Sequence, residues 1–217
     1  MRIDIFSDTI CPWCLIGKRR LERALAERPQ GDLSIVWHAF QLNPDMPVEG
    51  MARQEYLSRK FGGERNAGSI YGRIEAIGAE EGIPFDFAAI QRTPNTLDSH
   101  RLIRLATFKG LSEAVVEGLF DAYFMQGRDI GDRSVLLEIA AQAGLEDERV
   151  QSLLTGDEFV EDVRTEDNLA RRMGIQGVPC FIFNGRHVLS GAQPPEVFWQ
   201  MFDVVHADTE EAPDHTA

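Results

Sequence analysis

Cys11-Pro12-Trp13-Cys14 stands where a short apolar strand gives way to a helix. Before it, Ile3-Asp4-Ile5-Phe6 has the β-branched and aromatic character of a strand. After it, Leu15, Leu21 and Leu25 recur among Lys18, Arg19, Arg20 and Glu22 at the spacing of an amphipathic helix. Leu33-Ser34-Ile35-Val36-Trp37-His38-Ala39-Phe40 then reads as a second strand, ended by Pro44 and Pro47. Strand, helix and strand in so short a stretch make a βαβ unit, so the two strands are parallel and joined by a right-handed crossover. That restricts the chain to an α/β class.

From Ala52 to Met173 the apolar spacing is helical throughout. Helices are predicted over 52–61, 67–81, 97–109, 112–126, 133–143, 147–154 and 157–173, separated by Gly62-Gly63, Gly82, Gly110, Gly127 and Gly144. Thr96, Asp132 and Ser134 are suited to N-caps. Strand character returns at Cys180-Phe181-Ile182-Phe183, and Asn184-Gly185 signals a tight hairpin into His187-Val188-Leu189-Ser190. Pro194-Pro195 opens a last helix. The expected fold is a mixed central sheet, βαβ then ββα, carrying a large all-helical insertion. Residues 1–48 form the first part of the α/β domain, 49–160 the insertion, 161–206 the second part, and 207–217 a disordered acidic tail.

A thiol at a helix N-terminus lies beside unpaired backbone N–H groups and the positive end of the helix dipole, which favour the thiolate. Pro12 fits the first helical turn, where its missing N–H costs nothing. Cys11 is therefore the cap and the reactive sulfur, and Cys14 its buried partner one turn on. Zinc needs four ligands, and no second Cys pair or paired His follows, so no metal is expected. Two ordinary core cysteines fit poorly with a proline between them at a helix start. A dithiol redox pair is the favoured chemistry.

A net charge of −13 argues against nucleic acid and anionic membrane as partners, because both need clustered Lys and Arg. No apolar window approaches the roughly 20 residues of a membrane span. The Ile-Asp-Ile-Phe start, with a single Arg2 and no apolar leader, gives the expectation of a cytoplasmic protein. In a reducing compartment a Cys-x-x-Cys pair points to catalysis rather than to a structural staple.

Gly177-Val178-Pro179 precedes the third strand, and a proline there sits where its missing N–H is not needed. With it, the chain resembles the DsbA-like thioredoxin oxidoreductases, specifically the FrnE-like branch. The matching segments are Ser7 to Cys14, Phe40 to Pro44, Asn95 to Leu102, Gly127 to Asp132, Gly177 to Pro179, and Phe183 to Arg186 with Ser190 to Pro195. The resemblance covers nearly the whole chain. It implies a thioredoxin-like fold, a cis Val178–Pro179 bond against the dithiol, and thiol–disulfide exchange with disulfide-containing proteins or small thiols. No cofactor is implied, with glutathione the one candidate co-substrate. The Pro-Trp dipeptide lacks the intervening histidine of DsbA itself, which implies a less oxidising couple tilted toward reduction or isomerisation.

Around the dithiol, Pro12, Trp13, Pro179 and His100 are candidate support, and Val178, Trp13 and Asn95 candidate substrate contacts. Trp13 either faces substrate or packs onto the insertion. Asp8 caps the loop or handles a proton. His100 either stabilises the thiolate as imidazolium or is a structural histidine. Cys180 departs from the family, where an aromatic usually follows the proline; it is a core residue or a third redox thiol. Two rival functions stand: a glutathione-dependent transferase or isomerase of the kappa-class and 2-hydroxychromene-2-carboxylate isomerase type, and a non-enzymatic redox sensor. Those transferases generally carry serine at the position of Cys11. Monomer and dimer both stay open.

Overall fold

The computed structural model describes residues 1–211. Strand β1 (Arg2–Ser7), helix α1 (Pro12–Glu27) and strand β2 (Ser34–Ala39) form the βαβ unit, with β1 and β2 parallel and Ile3 opposite Ile35. The return leg is helix α8 (Val160–Arg172), strands β5 (Cys180–Phe183) and β6 (His187–Ser190), and helix α9 (Pro195–Glu211). The four strands lie in the order β2-β1-β5-β6, with β5 antiparallel to both its neighbours. This is the mixed thioredoxin-like sheet. Asn184 and Gly185 both take positive φ, 49° and 67°, as a primed hairpin turn requires.

Strand alternation divides the core. Ile3, Ile5, Phe181 and Phe183 face α1 and α9, where Phe181 meets Phe198 edge-on at 5.0 Å between ring centroids. Phe6, Cys180 and Ile182 face the other way, onto Phe40 and Ala170 of α8.

Between β2 and α8 come β3 (Met51–Ala52), α2 (Arg53–Phe61), α3 (Glu64–Glu80), β4 (Arg92–Thr93), α4 (Leu97–Thr107), α5 (Ser112–Phe120), α6 (Arg133–Gln142) and α7 (Asp147–Thr155). The insertion is not wholly helical. Strands β3 and β4 pair antiparallel, Met51 opposite Thr93, and two residues are too few for alternation to show in the sequence. The predicted helix over 112–126 is α5 continued by a π-helical turn, Asp121–Met125, in which the Gln126 N–H reaches the Asp121 carbonyl.

Helix α1 is held from both sides. Lys18, only 4 % exposed, bonds Glu113 at 2.6 Å and Glu117 at 2.8 Å on α5, and also Glu22. Arg20 and Arg23 converge on Glu81 beyond α3 at 2.6 and 2.8 Å. On the sheet side, the α9 Trp199 indole N–H donates to the Ala24 carbonyl at 3.3 Å. Helix α9 also corrects the expected tail. It runs on to Glu211, because Val205 is buried beneath it and Asp208 bonds His187 of β6 at 2.7 Å; residues 212–217 lie outside the described residues. Among the described residues no helix is long and apolar enough to cross a membrane.

Candidate active site

Cys11 is the N-cap of α1, with extended backbone (φ −95°, ψ 111°), and Pro12 opens the helix. The turn is pinned at both ends: the Cys11 N–H donates to the Asp8 carbonyl and the Cys14 N–H to the Cys11 carbonyl, each at 3.0 Å. All three cysteines are free thiols. Cys11 is 4 % exposed and Cys14 1 %. The Cys11 thiol lies 3.5 Å from the Val178 carbonyl oxygen, on the loop that leads into β5. Burial pushes the Cys14 thiol well above its ordinary range, and the Cys11 sulfur beside it adds to the rise. The Ser7 hydroxyl and the Asp8 N–H face the Cys14 sulfur and work in the opposite direction.

The Val178–Pro179 peptide bond is cis. Pro179 reaches α1 closely enough that a Cβ on Gly17 would stand 2.8 Å from its ring, so only glycine lets the loop approach here. Beside this contact runs a groove of about 670 Å³, with Trp13 and Met173 on its rim and Val178, Pro179 and Val188 among its walls. Trp13 is 36 % exposed and lines the groove. Met173 and Val188 are more exposed still.

With this geometry, comparison with known proteins is specific. The DSBA-like thioredoxin domain profile matches residues 2–203. The chain belongs to the DsbA-like thioredoxin family. A probable DsbA oxidoreductase from Streptomyces coelicolor, SCO1869, has a TM-score of 0.88 and 31 % identity, covering 100 % of this chain and 93 % of its own. A 2-hydroxychromene-2-carboxylate isomerase shares the fold at a TM-score of 0.72 and 14 % identity, with 100 % of both chains covered. The cytosolic disulfide reductase DsbM from Pseudomonas aeruginosa, solved with GSH, shares it at 0.68 and 21 %, covering 96 % of this chain and 100 % of that one.

The remaining residues of this DsbA-like site divide sharply. His100, on α4, is buried, with Nε2 3.4 Å from Asp8 Oδ1. Asp8 is fully buried, and its other oxygen accepts the Leu42 N–H at 2.7 Å. The loop-capping role expected of Asp8 is thus visible, while His100 meets Asp8. Asn95 is held at both ends of its side-chain amide. Its amide donates to the Met46 carbonyl at 2.6 Å and accepts the Leu97 N–H at 2.9 Å, so both ends tie the loop before α4.

Cys180 packs with Phe6, Phe40 and Ala170, whereas Cys11 and Cys14 belong to the cluster on the other face of the sheet. Burial pushes its thiol up. The alternation of β5 accounts for that packing, and Cys180 also lines the groove with Trp13 and Pro179.

Two groups near the dithiol have no sequence signal. Burial raises the hydroxyl of Tyr71 on α3, the Arg53 guanidinium opposes the rise, and charge on Cys11 adds a smaller share to it. The Arg53 guanidinium sits 4.9 Å over the Tyr71 ring and bonds Thr93 at 3.2 Å. Neither belongs to a local motif, because helices α2 and α3 reach the site only through the tertiary fold.

Proposed function

We propose that the protein is a thiol–disulfide oxidoreductase in which Cys11 exchanges with substrate and Cys14 resolves. The observation that carries this reading is the Cys11 sulfur, at the N-cap of α1 and 3.5 Å from the carbonyl of Val178, a residue that lines an apolar groove with Trp13 and Pro179. In the reducing direction the Cys11 thiolate attacks a substrate disulfide. A Cys11–substrate disulfide forms and the first substrate sulfur leaves as thiolate. Cys14 then attacks Cys11, forming the Cys11–Cys14 disulfide and releasing the second substrate thiol, so two electrons pass to substrate. Trp13, Met173 and Val188 give an extended disulfide-containing peptide an apolar surface, and the backbone ahead of Pro179 suits it for strand-like pairing.

We further propose a cytoplasmic setting with glutathione as the small thiol that returns the disulfide to the dithiol. The Pseudomonas reductase, cytosolic by name and solved with GSH, supports that setting. Insulin reduction by wild type and Cys11→Ser tests the reading. Turnover by the wild type that falls to background in the variant is the expected result. Glutathione conjugation that survives in Cys11→Ser would point instead to the transferase class, and no turnover by the wild type to a redox sensor.

A further inference from the structure

Strand β2 is the sheet edge opposite β6, and a cavity of about 180 Å³ lies along it, closed by α4 and α5. It shares no lining residue with the groove beside Pro179. Its apolar wall is Trp37 of β2, Ile103 of α4, and Val116 and Phe120 of α5, all buried. An apolar cavity of about 150 Å³ is large enough to take up benzene. This space therefore has room for one six-membered ring. Phe108, 69 % exposed, lines the opening and stacks on Phe159 at 5.7 Å between ring centroids.

The sheet register adds a polar edge. The Ser34 N–H donates to the Met1 carbonyl and the Phe40 N–H to the Ser7 carbonyl, so the even-numbered residues along β2 pair with β1. Alternation turns the odd-numbered N–H and C=O groups outward, as the Ala39 N–H shows by donating to Glu166 at 3.1 Å. Trp37 thus presents one backbone donor and one acceptor on the cavity side. Two more lining residues carry a buried nitrogen without a hydrogen-bond partner, His100 Nε2 and Arg104 Nε. His100 is only 4 % exposed, and Asp8 Oδ1, 3.4 Å from that nitrogen, makes no hydrogen bond with it. Buried polar atoms are normally paired in a folded protein.

The charges around this space decide against an anion. Arg104 is neutralised by Glu166 and Asp162 of α8, each at 2.7 Å, and His38 lies 2.7 Å from Asp4 and 3.7 Å from Glu166. With Asp8 behind His100, a further carboxylate would meet no free cation here. Water alone would satisfy the polar edge and leave the four apolar side chains uncovered, and a plain hydrocarbon ring would do the reverse. A phenol covers both, because its hydroxyl donates and accepts at once. Independently of the oxidoreductase reading, we propose that this cavity binds a small, neutral, single-ring phenol. The ring lies among Trp37, Ile103, Val116 and Phe120, and the hydroxyl bonds the polar edge at Trp37.

The probe is 4-fluorophenol, followed by its fluorine NMR signal against the full chain at neutral pH. Saturable binding is expected, with nuclear Overhauser contacts from the ring to the Trp37 indole and the Ile103 and Val116 methyls. Fluorobenzene, which leaves the polar edge unpaired, is expected to bind about tenfold more weakly or less. The same loss is expected for 4-fluorobenzoate, which must bury a charge. Val116→Phe puts a second ring in the space and is expected to weaken 4-fluorophenol by about tenfold or more while keeping the circular dichroism of wild type. No saturable binding, or contacts to Trp13 and Val188 of the groove instead, would overturn the proposal. So would fluorobenzene or 4-fluorobenzoate binding as tightly as the phenol, or folded Val116→Phe binding like wild type. Should Val116→Phe fail to fold, the contacts made in wild type decide alone.

Discussion

Cys11 and Cys14 are one helical turn apart, yet their surroundings differ. Cys11 has the helix terminus and the Val178 carbonyl; Cys14 has Ser7, Asp8 and the interior. Because burial raises the Cys14 thiol, it stays protonated at neutral pH. In Cys11→Ser, iodoacetamide labelling of Cys14 is therefore expected to be slow at pH 7 and to accelerate only above the ordinary thiol range. Labelling at pH 7 as fast as a free cysteine would contradict this burial argument. The sign for stability follows from the same shift. Above about pH 9 an unfolded chain releases this proton while the reduced folded chain retains it, so the reduced form loses stability as pH rises. Cys11, Cys14 and Pro179 are legible in the sequence because each is fixed by its immediate neighbours. The meeting of Asp8 with His100 is not, since it depends on how α4 packs against the end of β1. Nor are the two backbone hydrogen bonds of Asn95, one of which reaches Met46 across the chain.

At the scale of elements, α1 and the Pro179 loop form one unit whose spacing Gly17 sets. Alanine is the better helix former by about 1 kcal/mol, so Gly17→Ala on an open helix would stabilise. Here the new methyl meets the Pro179 ring at 2.8 Å and Phe181 at 3.2 Å. Overpacking of this kind costs about 1–3 kcal/mol. Gly17→Ala is expected to lower the melting temperature and to slow disulfide exchange as the Pro179 loop is pushed from Cys11; a variant as stable and active as wild type would show that the contact yields freely. The helices on either side were readable from apolar period and from glycines such as Gly62 and Gly110, both with positive φ at helix ends. The β3–β4 pair and the π-helical turn were not. One is too short to show a period, and the other differs from an α-helix only in which carbonyl each N–H reaches.

The whole molecule is a sheet and a helical insertion that share α1, and the junction is electrostatic as well as apolar. Lys18 lies under Glu22, Glu113 and Glu117, Arg19 also bonds Glu117, and the Trp37 indole N–H donates to Glu113 at 3.0 Å. Burial alone would raise the Glu117 carboxyl, but Arg19 and Lys18 outweigh it and hold it at about 2. A carboxylate with a depressed pKa stabilises the fold above its unfolded value and loses that contribution as pH falls toward the folded one. Glu117→Gln is therefore expected to lower the melting temperature at pH 7, with the gap from wild type closing between about pH 4.5 and 2. Its size is modest, because Glu117 is partly exposed and water screens the pair. The three tryptophans, Trp13 at the groove, Trp37 at the insertion and Trp199 under α1, all sit on elements that contact this junction or its helix. Their fluorescence and the far-ultraviolet circular dichroism of the helices should then melt together in wild type. Separate transitions would mean that the insertion and sheet unfold independently and that the charges on α1 couple nothing. A gap that stays constant down to pH 2 would show that Glu117 acts through packing rather than charge.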